Sequence, residues 1–214
     1  MSKPSKNLKK VLITGASSYV GARLFADLTK DFDVTGTYHQ NRLFPELVKM
    51  DITDRSATLK TIEKIKPGWI VHVAANPFGG WCEENPAEAQ MLNEAGTENI
   101  VAAANAVNAK IIYISSFAAI NPEGVYAKTK RAGEEWAKKT NAGFVILRPS
   151  LIIGWSPNTT NDRPFNRMLK NITEQTPAVY DTSWRFQPTW LGHMSEAIRG
   201  IIQKGITSET IPIT

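Results

Sequence analysis

Lys10–Gly21 reads K-V-L-I-T-G-A-S-S-Y-V-G, a short β-branched apolar run that breaks at a glycine and passes straight into a helical pattern. Val11–Thr14 suits a strand buried on both faces. Gly15 permits a tight turn at its end, and Gly21 permits close packing of the following helix on the strand. The start of that helix then presents unpaired amides and the positive end of its dipole to a phosphate. Gly15 and Gly21 keep the spacing of a Gly-x-x-Gly-x-x-Gly turn, with Ser18 in the middle place. Serine is a mild replacement, because it is small and its hydroxyl can itself donate to phosphate. Gly15, Ser17, Ser18, Tyr19, Val20 and Gly21 are therefore the expected cradle of a pyrophosphate. A βα turn of this kind also occurs where nothing binds, so its weight depends on the rest of the chain.

Outward from the turn, short β-branched runs alternate with longer amphipathic stretches, the pattern of a parallel sheet covered by helices on both faces. Strands are predicted at Val11–Thr14, Val34–Tyr38, Glu46–Lys49, Trp69–Ala74, Lys110–Ser115 and Gly143–Leu147. Helices are predicted at about Val20–Thr29, Arg55–Ile65, Pro86–Val107, Tyr126–Thr140 and His193–Gln203. Asn85 is placed to cap the third of these, with Pro86 at its first position and Glu88 three residues after the cap. Ser156–Pro164 reads as a mobile surface loop, and Ile211–Thr214 is strand-like. The expected fold class is α/β, a Rossmann-type doubly wound parallel sheet, and residues 1–214 read as one domain. Within it, 1–9 form a flexible basic tail and 155–214 a partial substrate-side segment.

The composition fits that picture. The 214 residues are 42% hydrophobic, ordinary for a chain with one sizeable core. No apolar run approaches the roughly 20 residues of a membrane helix, and no secretory signal follows the basic start. The single cysteine, Cys82, offers neither an internal disulfide nor a metal framework. These readings predict a cytoplasmic protein without a membrane partner. The net charge of +5 is misleading, since Lys3, Lys6, Lys9 and Lys10 carry four of it. No basic face remains for nucleic acid. His39, His72 and His193 lack metal-ligand spacing, so no metal is expected, and His72 within a strand reads as a core residue.

The second strand runs out through Tyr38, His39, Gln40, Asn41 and Arg42 without an acid. An acidic side chain there holds the ribose hydroxyls of NAD, whereas a basic one accepts the 2′-phosphate of NADP. Arg42, helped by His39, favours NADP over NAD; the plainer reading of Arg42 is a solvated loop charge. Farther on, Tyr126-Ala127-Lys128-Thr129-Lys130 places a phenol and an amine on one face of a helix. A nearby ammonium favours phenolate and brings a tyrosine toward the working range of a general acid or base. The same lysine can bond the nicotinamide ribose. The spacing alone is common by chance. Ser115 and Ser116, however, end the strand just upstream, at the carboxyl edge where ligands of open α/β sheets bind. Ser116 can orient a carbonyl and steady its developing charge.

With these residues the chain resembles the extended short-chain dehydrogenase/reductases, most closely the dTDP-4-dehydrorhamnose reductase-like (RmlD-like) branch. The resemblance runs from about Lys10 to Ile202. Beside the turn and the Tyr–Lys pair it includes Met50-Asp51-Ile52, Ala74-Ala75-Asn76, Leu92–Thr97 and Leu147-Arg148-Pro149, in the family's order. It implies that Asp51 and Ile52 border the adenine, that Ala74, Ala75 and Asn76 flank the cofactor, and that Asn93 supports the site from its helix. It also implies catalysis by Ser116, Tyr126 and Lys130, and pairing of two copies through the Tyr–Lys helix. Two departures stand out. Only Phe117–Val125 separates Ser116 from Tyr126, where the family has a longer loop, and most of the small C-terminal substrate lobe is expected to be absent. Substrate contacts are then left to Asn76–Trp81 with Phe78 and Trp81, to the loop after Trp155, and to Trp184–Pro188 with Arg185. Tryptophans 81, 155 and 184 read equally well as rim packing or a dimer surface.

The function these residues imply is an NAD(P)-dependent reductase acting on a small carbonyl compound, a nucleotide-activated deoxysugar being the family's example. Epimerase or dehydratase chemistry is a related alternative, although Phe117 stands where dehydratases carry an acid. From another class, a non-catalytic NADP-binding regulatory protein is an alternative, like the beta-type regulatory subunit of methionine adenosyltransferase, which is similar in fold and motifs. The short loop and lost lobe favour it; the retained Ser116, Tyr126 and Lys130 favour the enzyme.

Overall fold

A computed structural model describes residues 8–161, 163–179, 183, 185 and 187–214. Chain order begins with β1 (Lys10–Thr14), α1 (Tyr19–Leu28), β2 (Asp33–Tyr38), β3 (Val48–Lys49), α2 (Arg55–Ile65) and β4 (Trp69–His72). It continues through α3 (Gly79–Glu84), α4 (Pro86–Gln90), a π-helical turn at Met91–Ala95, α5 (Gly96–Ala106), β5 (Lys110–Ile114) and a 3₁₀ turn at Phe117–Ala119. It ends with α6 (Gly124–Ala137), β6 (Phe144–Pro149), β7 (Ile152–Ile153), α7 (Pro164–Glu174), β8 (Thr189–Trp190), α8 (Leu191–Lys204) and β9 (Glu209–Ile213).

Seven strands pair in the order β3-β2-β1-β4-β5-β6-β9, every pairing parallel. The expected doubly wound sheet is present. The order in which strands are added across the sheet reverses between β1 and β4, so the crevice beyond their carboxyl ends is the topological switch point where ligands of such sheets bind. The central strands explain the apolar runs: Leu12, Ile13, Ile70, Val71, Ile111, Ile112, Val145 and Ile146 are all buried. One apolar cluster packs α1 and α8 on one face, and another packs α2 and α5 on the other.

Several boundaries differ from the sequence reading. The strand expected at Glu46–Lys49 is reduced to Val48–Lys49, because it is an edge strand paired only with Thr37 and Tyr38. The long helix expected at Pro86–Val107 exists but carries the π turn. Asn85 does not cap it; its amide donates instead to the Trp81 carbonyl at 2.9 Å. The segment after Asn76 folds into α3, and α7 lies beyond the last expected loop. Lys9, placed in the basic tail, donates to the Ile202 and Gln203 carbonyls at the end of α8. Lys3 and Lys6 lie outside the described residues.

His72 is a core residue. It lies between Thr14 Oγ1 at 2.7 Å and Thr97 Oγ1 at 3.1 Å, and burial, reinforced by the charge of Lys130, holds its pKa down at about 3. Thr14 Oγ1 in turn accepts from the Val73 and Ala74 amides, which fixes the chain as it leaves β4.

Candidate active site

The turn after β1 is built as its glycines require. Gly15 has φ +68°, and a Cβ there would stand 3.0 Å from the Ala74 Cα. A Cβ on Gly21 would meet the Gly15 carbonyl oxygen at 2.1 Å, so α1 can start here only because residue 21 has none. Ser18 is the N-cap of α1, its Oγ accepting from the Gly21 amide at 3.0 Å. The hydroxyl proton remains free to donate outward. Ser17 Oγ accepts from the Leu43 amide at 3.2 Å, tying the turn to the loop after β2. Tyr19 is turned inward: it is 2% exposed, and its hydroxyl donates to the Gly154 carbonyl.

Two clefts open along this rim, and Ser18 and Asn161 line both. One, about 470 Å³, is walled by Gly15, Ser17, Tyr38, His39, Arg42 and Asn158. There Arg42 stacks over the Tyr38 ring at 5.8 Å, while His39 Nε2 lies 3.3 Å from Asp51 Oδ2. Burial works against Asp51, but hydrogen bonds from the Thr53 hydroxyl and amide hold its carboxyl below the usual range. Ile52 points away, buried against Gly96.

The second cleft, about 670 Å³, is lined by Val20, Ala75, Asn76, Phe78, Ser116, Tyr126, Lys130 and Arg163. Ser115 and Ser116 part company at the end of β5. Ser115 is buried and donates to Glu134 Oε1 at 2.5 Å; Ser116 lines the cleft together with Tyr126, its Oγ accepting from the Ala118 amide at 3.2 Å. The short link to Tyr126 works because Glu83 of α3 reaches across, its Oε1 accepting from the Val125 amide at 2.6 Å beside Gly124.

Tyr126 sits higher than a free phenol in pKa because it is buried, while the Ser116 hydroxyl and then the Arg163 charge pull it back. Lys130 lines the same cleft as Tyr126. Its Nζ donates to the Ile114 carbonyl at 2.6 Å and lies 4.2 Å from the Tyr113 ring centre. Burial draws this amine down to about 7, with Glu134 opposing. Arg163 lines this cleft as well, and its charge acts on the phenol.

Asn93, 1% exposed on the π turn, receives the Asn76 amide at 2.8 Å and donates to the Asn76 carbonyl at 3.1 Å and to Thr129 Oγ1 at 3.2 Å. It therefore clamps the strand-exit loop to α6. The loop read as mobile is anchored too. Ser156 Oγ donates to the Tyr19 carbonyl at 2.6 Å, and Asn158 Nδ2 donates to the Ser17 carbonyl at 2.7 Å. Asn158, Asn161 and Arg163 were missed by sequence reasoning. Trp81 and Arg185 line neither cleft, and Arg185 is exposed. Trp184 and Phe186 lie outside the described residues.

The donor set suits a dinucleotide. A turn with no room for a Cβ at Gly21, a helix N-terminus, and two clefts that share Ser18 and Asn161, one reaching Arg42 and the other Tyr126, lie along the carboxyl edge of the sheet. Among the described residues no Asp or Glu lines either cleft, and no group of ligating side chains could hold a metal. No helix among them is long and apolar enough to cross a membrane.

Comparison with known proteins agrees in fold and family. The model of a family described as RmlD substrate binding domain matches residues 9–212. The beta subunit of methionine adenosyltransferase 2 from Xenopus tropicalis is 29% identical over 160 residues, covering 68% of this chain and 48% of that protein. The chain thus spans about half the length of the curated relatives it matches. Bacillus anthracis dTDP-4-dehydrorhamnose reductase, solved with NADP, superposes with a TM-score of 0.80 at 23% identity, over 97% of this chain and 74% of that one. The Bordetella bronchiseptica enzyme WbmG, solved with NAD, gives 0.84 at 16% identity, over 99% and 74%.

Proposed function

The chain belongs to the RmlD substrate binding domain family, and on that premise we propose that it is an NAD(P)-dependent reductase of a small carbonyl compound. The observation that carries the reading is the joint placement of Ser116 and Tyr126 in the cleft that continues the glycine turn. Gly15, Ser18 and the start of α1 would hold the pyrophosphate, Arg42 and His39 the adenosine end, and Ala75 and Asn76 the floor of the nicotinamide end. The bound dinucleotide supplies the hydride. Tyr126 gives its proton to the carbonyl oxygen, a task its raised pKa suits because the phenol stays protonated at neutral pH. Ser116 donates to the same oxygen as charge develops. Lys130 holds the end of β5 through Ile114 and becomes the ribose contact when it turns outward. NADP is the preferred cofactor, since among the described residues no carboxylate lines the adenosine-side cleft. The absence of Asp and Glu from the described lining also favours reduction over dehydration.

A regulatory reading is favoured by two observations: the resemblance to the methionine adenosyltransferase beta subunit and the engagement of the Lys130 ammonium by the Ile114 carbonyl. The experiment that separates the two follows NADPH and NADH absorbance with nucleotide-linked keto sugars and simple ketones, for the parent and for Tyr126→Phe. The enzyme reading expects turnover that falls about 10²-fold or more in the variant while cofactor affinity is kept. Cofactor binding without turnover on any carbonyl compound would transfer the case to regulation.

A further inference from the structure

Arg163 is a partly buried cation with no carboxylate partner among the described residues. Other arginines of the fold are matched: Arg23 with Asp27 at 2.6 Å, Arg148 with Glu134 at 2.6 Å, Arg199 with Asp31 at 2.7 Å. Arg163 instead lies 5.5 Å from the Phe78 ring centre, and the groups acting on its charge are the phenols of Tyr126 and Tyr19. Burial lowers its pKa. A guanidinium withdrawn from water without a counter-charge is costly unless an anion joins it.

Its position is also fixed. Arg163 is the N-cap of α7, and its amide donates to the Asn161 carbonyl at 2.8 Å. The preceding loop is pinned to the phosphate turn through Ser156 and Asn158. The carboxamide oxygen of Asn161, which lines the same cleft, is buried without a partner. The cleft therefore holds an unmatched cation beside the catalytic phenol, within a wall of Pro77, Phe78, Leu92, Phe117 and Leu151. Such apolar surroundings strengthen any ion pair formed there.

We propose that Arg163 is the receptor for an anionic group carried by the substrate, which is accordingly a carbonyl compound bearing a carboxylate or phosphate close to the reacting carbon. The inference rests on the reductase reading. Arg163 and Tyr126 line one cleft and act on each other electrostatically, so one small molecule spans both: its carbonyl oxygen at Tyr126 and Ser116, its anion at the guanidinium. A planar guanidinium takes carboxylate or phosphate through two parallel hydrogen bonds. A neutral ketone leaves the arginine unpaired, and that is the basis of discrimination. Anion binding also cancels the charge that favours phenolate, which keeps Tyr126 protonated for its role as donor.

The test is calorimetric and needs no turnover. The full chain saturated with NADP is titrated with acetoacetate against methyl acetoacetate, with dihydroxyacetone phosphate against dihydroxyacetone, and with UDP. The parent, Arg163→Gln and Arg163→Lys are compared, with melting curves confirming that each is folded. The expected result is that an anionic probe binds the parent at least about ten-fold more tightly than its neutral partner. Arg163→Gln abolishes the preference, Arg163→Lys restores part of it, and the affinity for NADP is unchanged. Which probe binds identifies the source as carboxylate, phosphate monoester or nucleotide diphosphate. The proposal is overturned if no anionic probe is preferred, if Arg163→Gln keeps the preference, or if that variant weakens NADP by the same factor, since the arginine then serves the cofactor. Failure of the parent to bind NADP is seen before any probe is added, and it overturns the reductase reading instead.

Discussion

Lys130 donates its ammonium to the main-chain carbonyl of Ile114, the last residue of β5, at 2.6 Å. The side chain is 3% exposed, and burial draws its pKa from 10.5 down to about 7 against the opposing charge of Glu134. In the unfolded chain the amine keeps its ordinary value. The unfolded state therefore binds more protons between about pH 7 and 10.5, and stability rises with pH across that window. Below it both states are protonated and the cost of burying the cation is felt in full. Lys130→Met should be more stable than the parent near about pH 6, by on the order of 1–3 kcal/mol. That advantage should shrink toward about pH 10. Urea melts of both proteins at the two values check it, and a difference that ignores pH would contradict the assignment.

Gly21 carries the sharpest steric demand at the phosphate turn, because its missing Cβ makes room for the Gly15 carbonyl. Ser18 contributes differently, through its cap on the Gly21 amide. Gly21→Ala is expected to destabilise the fold by about 1–3 kcal/mol through displacement of α1 and to abolish cofactor binding. Ser18→Ala should cost only about 1 kcal/mol, with NADPH still bound, though more weakly. Parallel thermal melts with and without NADPH distinguish the two. Equal loss of cofactor affinity in both variants would mean that the serine hydroxyl, not the backbone path, holds the phosphate.

The parts of this site that could be read from the sequence are those whose chemistry is local in the chain. Gly15 and Gly21 share one turn, and Tyr126 and Lys130 share one helix face, so strand, turn and helix periodicities were enough to find them. Arg163 was invisible because the contacts that place it run through Ser156 to Tyr19 and through Asn158 to Ser17, across 137 and 141 residues. Its local sequence, rich in Pro, Asn and Thr, reads as a loop, and nothing in a loop's composition says which carbonyls it will meet. The π turn escaped for a related reason. Pro86–Ala106 has helical propensity throughout, and only the inward turn of Asn93 onto Asn76 shows the extra residue. The acceptor of Lys130, the Ile114 carbonyl, was not legible either, because spacing places a side chain on a face without saying which acceptor it reaches.

Arg42 is the charge expected to choose between the two nicotinamide cofactors. It is exposed over Tyr38 in the adenosine-side cleft, and the neighbouring carboxylate of Asp51 is occupied by Thr53 and His39. Arg42→Ala should weaken NADPH about ten-fold, the worth of one exposed arginine–phosphate contact, and leave NADH nearly unchanged. The effect should shrink in high salt, since an exposed pair is screened. Fluorescence titration with both cofactors at two ionic strengths measures this, and a matched loss of NADH affinity would remove Arg42 from the 2′-phosphate site.

Glu134 and Arg148 form a buried ion pair behind the end of β5. The carboxylate, fully enclosed, accepts from Arg148 Nε at 2.9 Å and from its terminal nitrogen at 2.6 Å. It also accepts from Ser115, the residue before Ser116, so the pair helps set where the end of β5 places Ser116. Arg148→Leu leaves the buried carboxylate with only Arg131, 3.8 Å away and partly exposed, and should cost up to about 3–5 kcal/mol. Glu134→Leu with Arg148→Leu removes both charges and should recover most of that loss, because the burial cost disappears with the attraction. Activity should not recover in parallel, since Ser115 has lost its anchor in the double variant. Stability measured by denaturant and kcat measured on the same preparations separate the two effects. If kcat returned together with stability, the Ser115 bond to Glu134 would have no part in positioning Ser116.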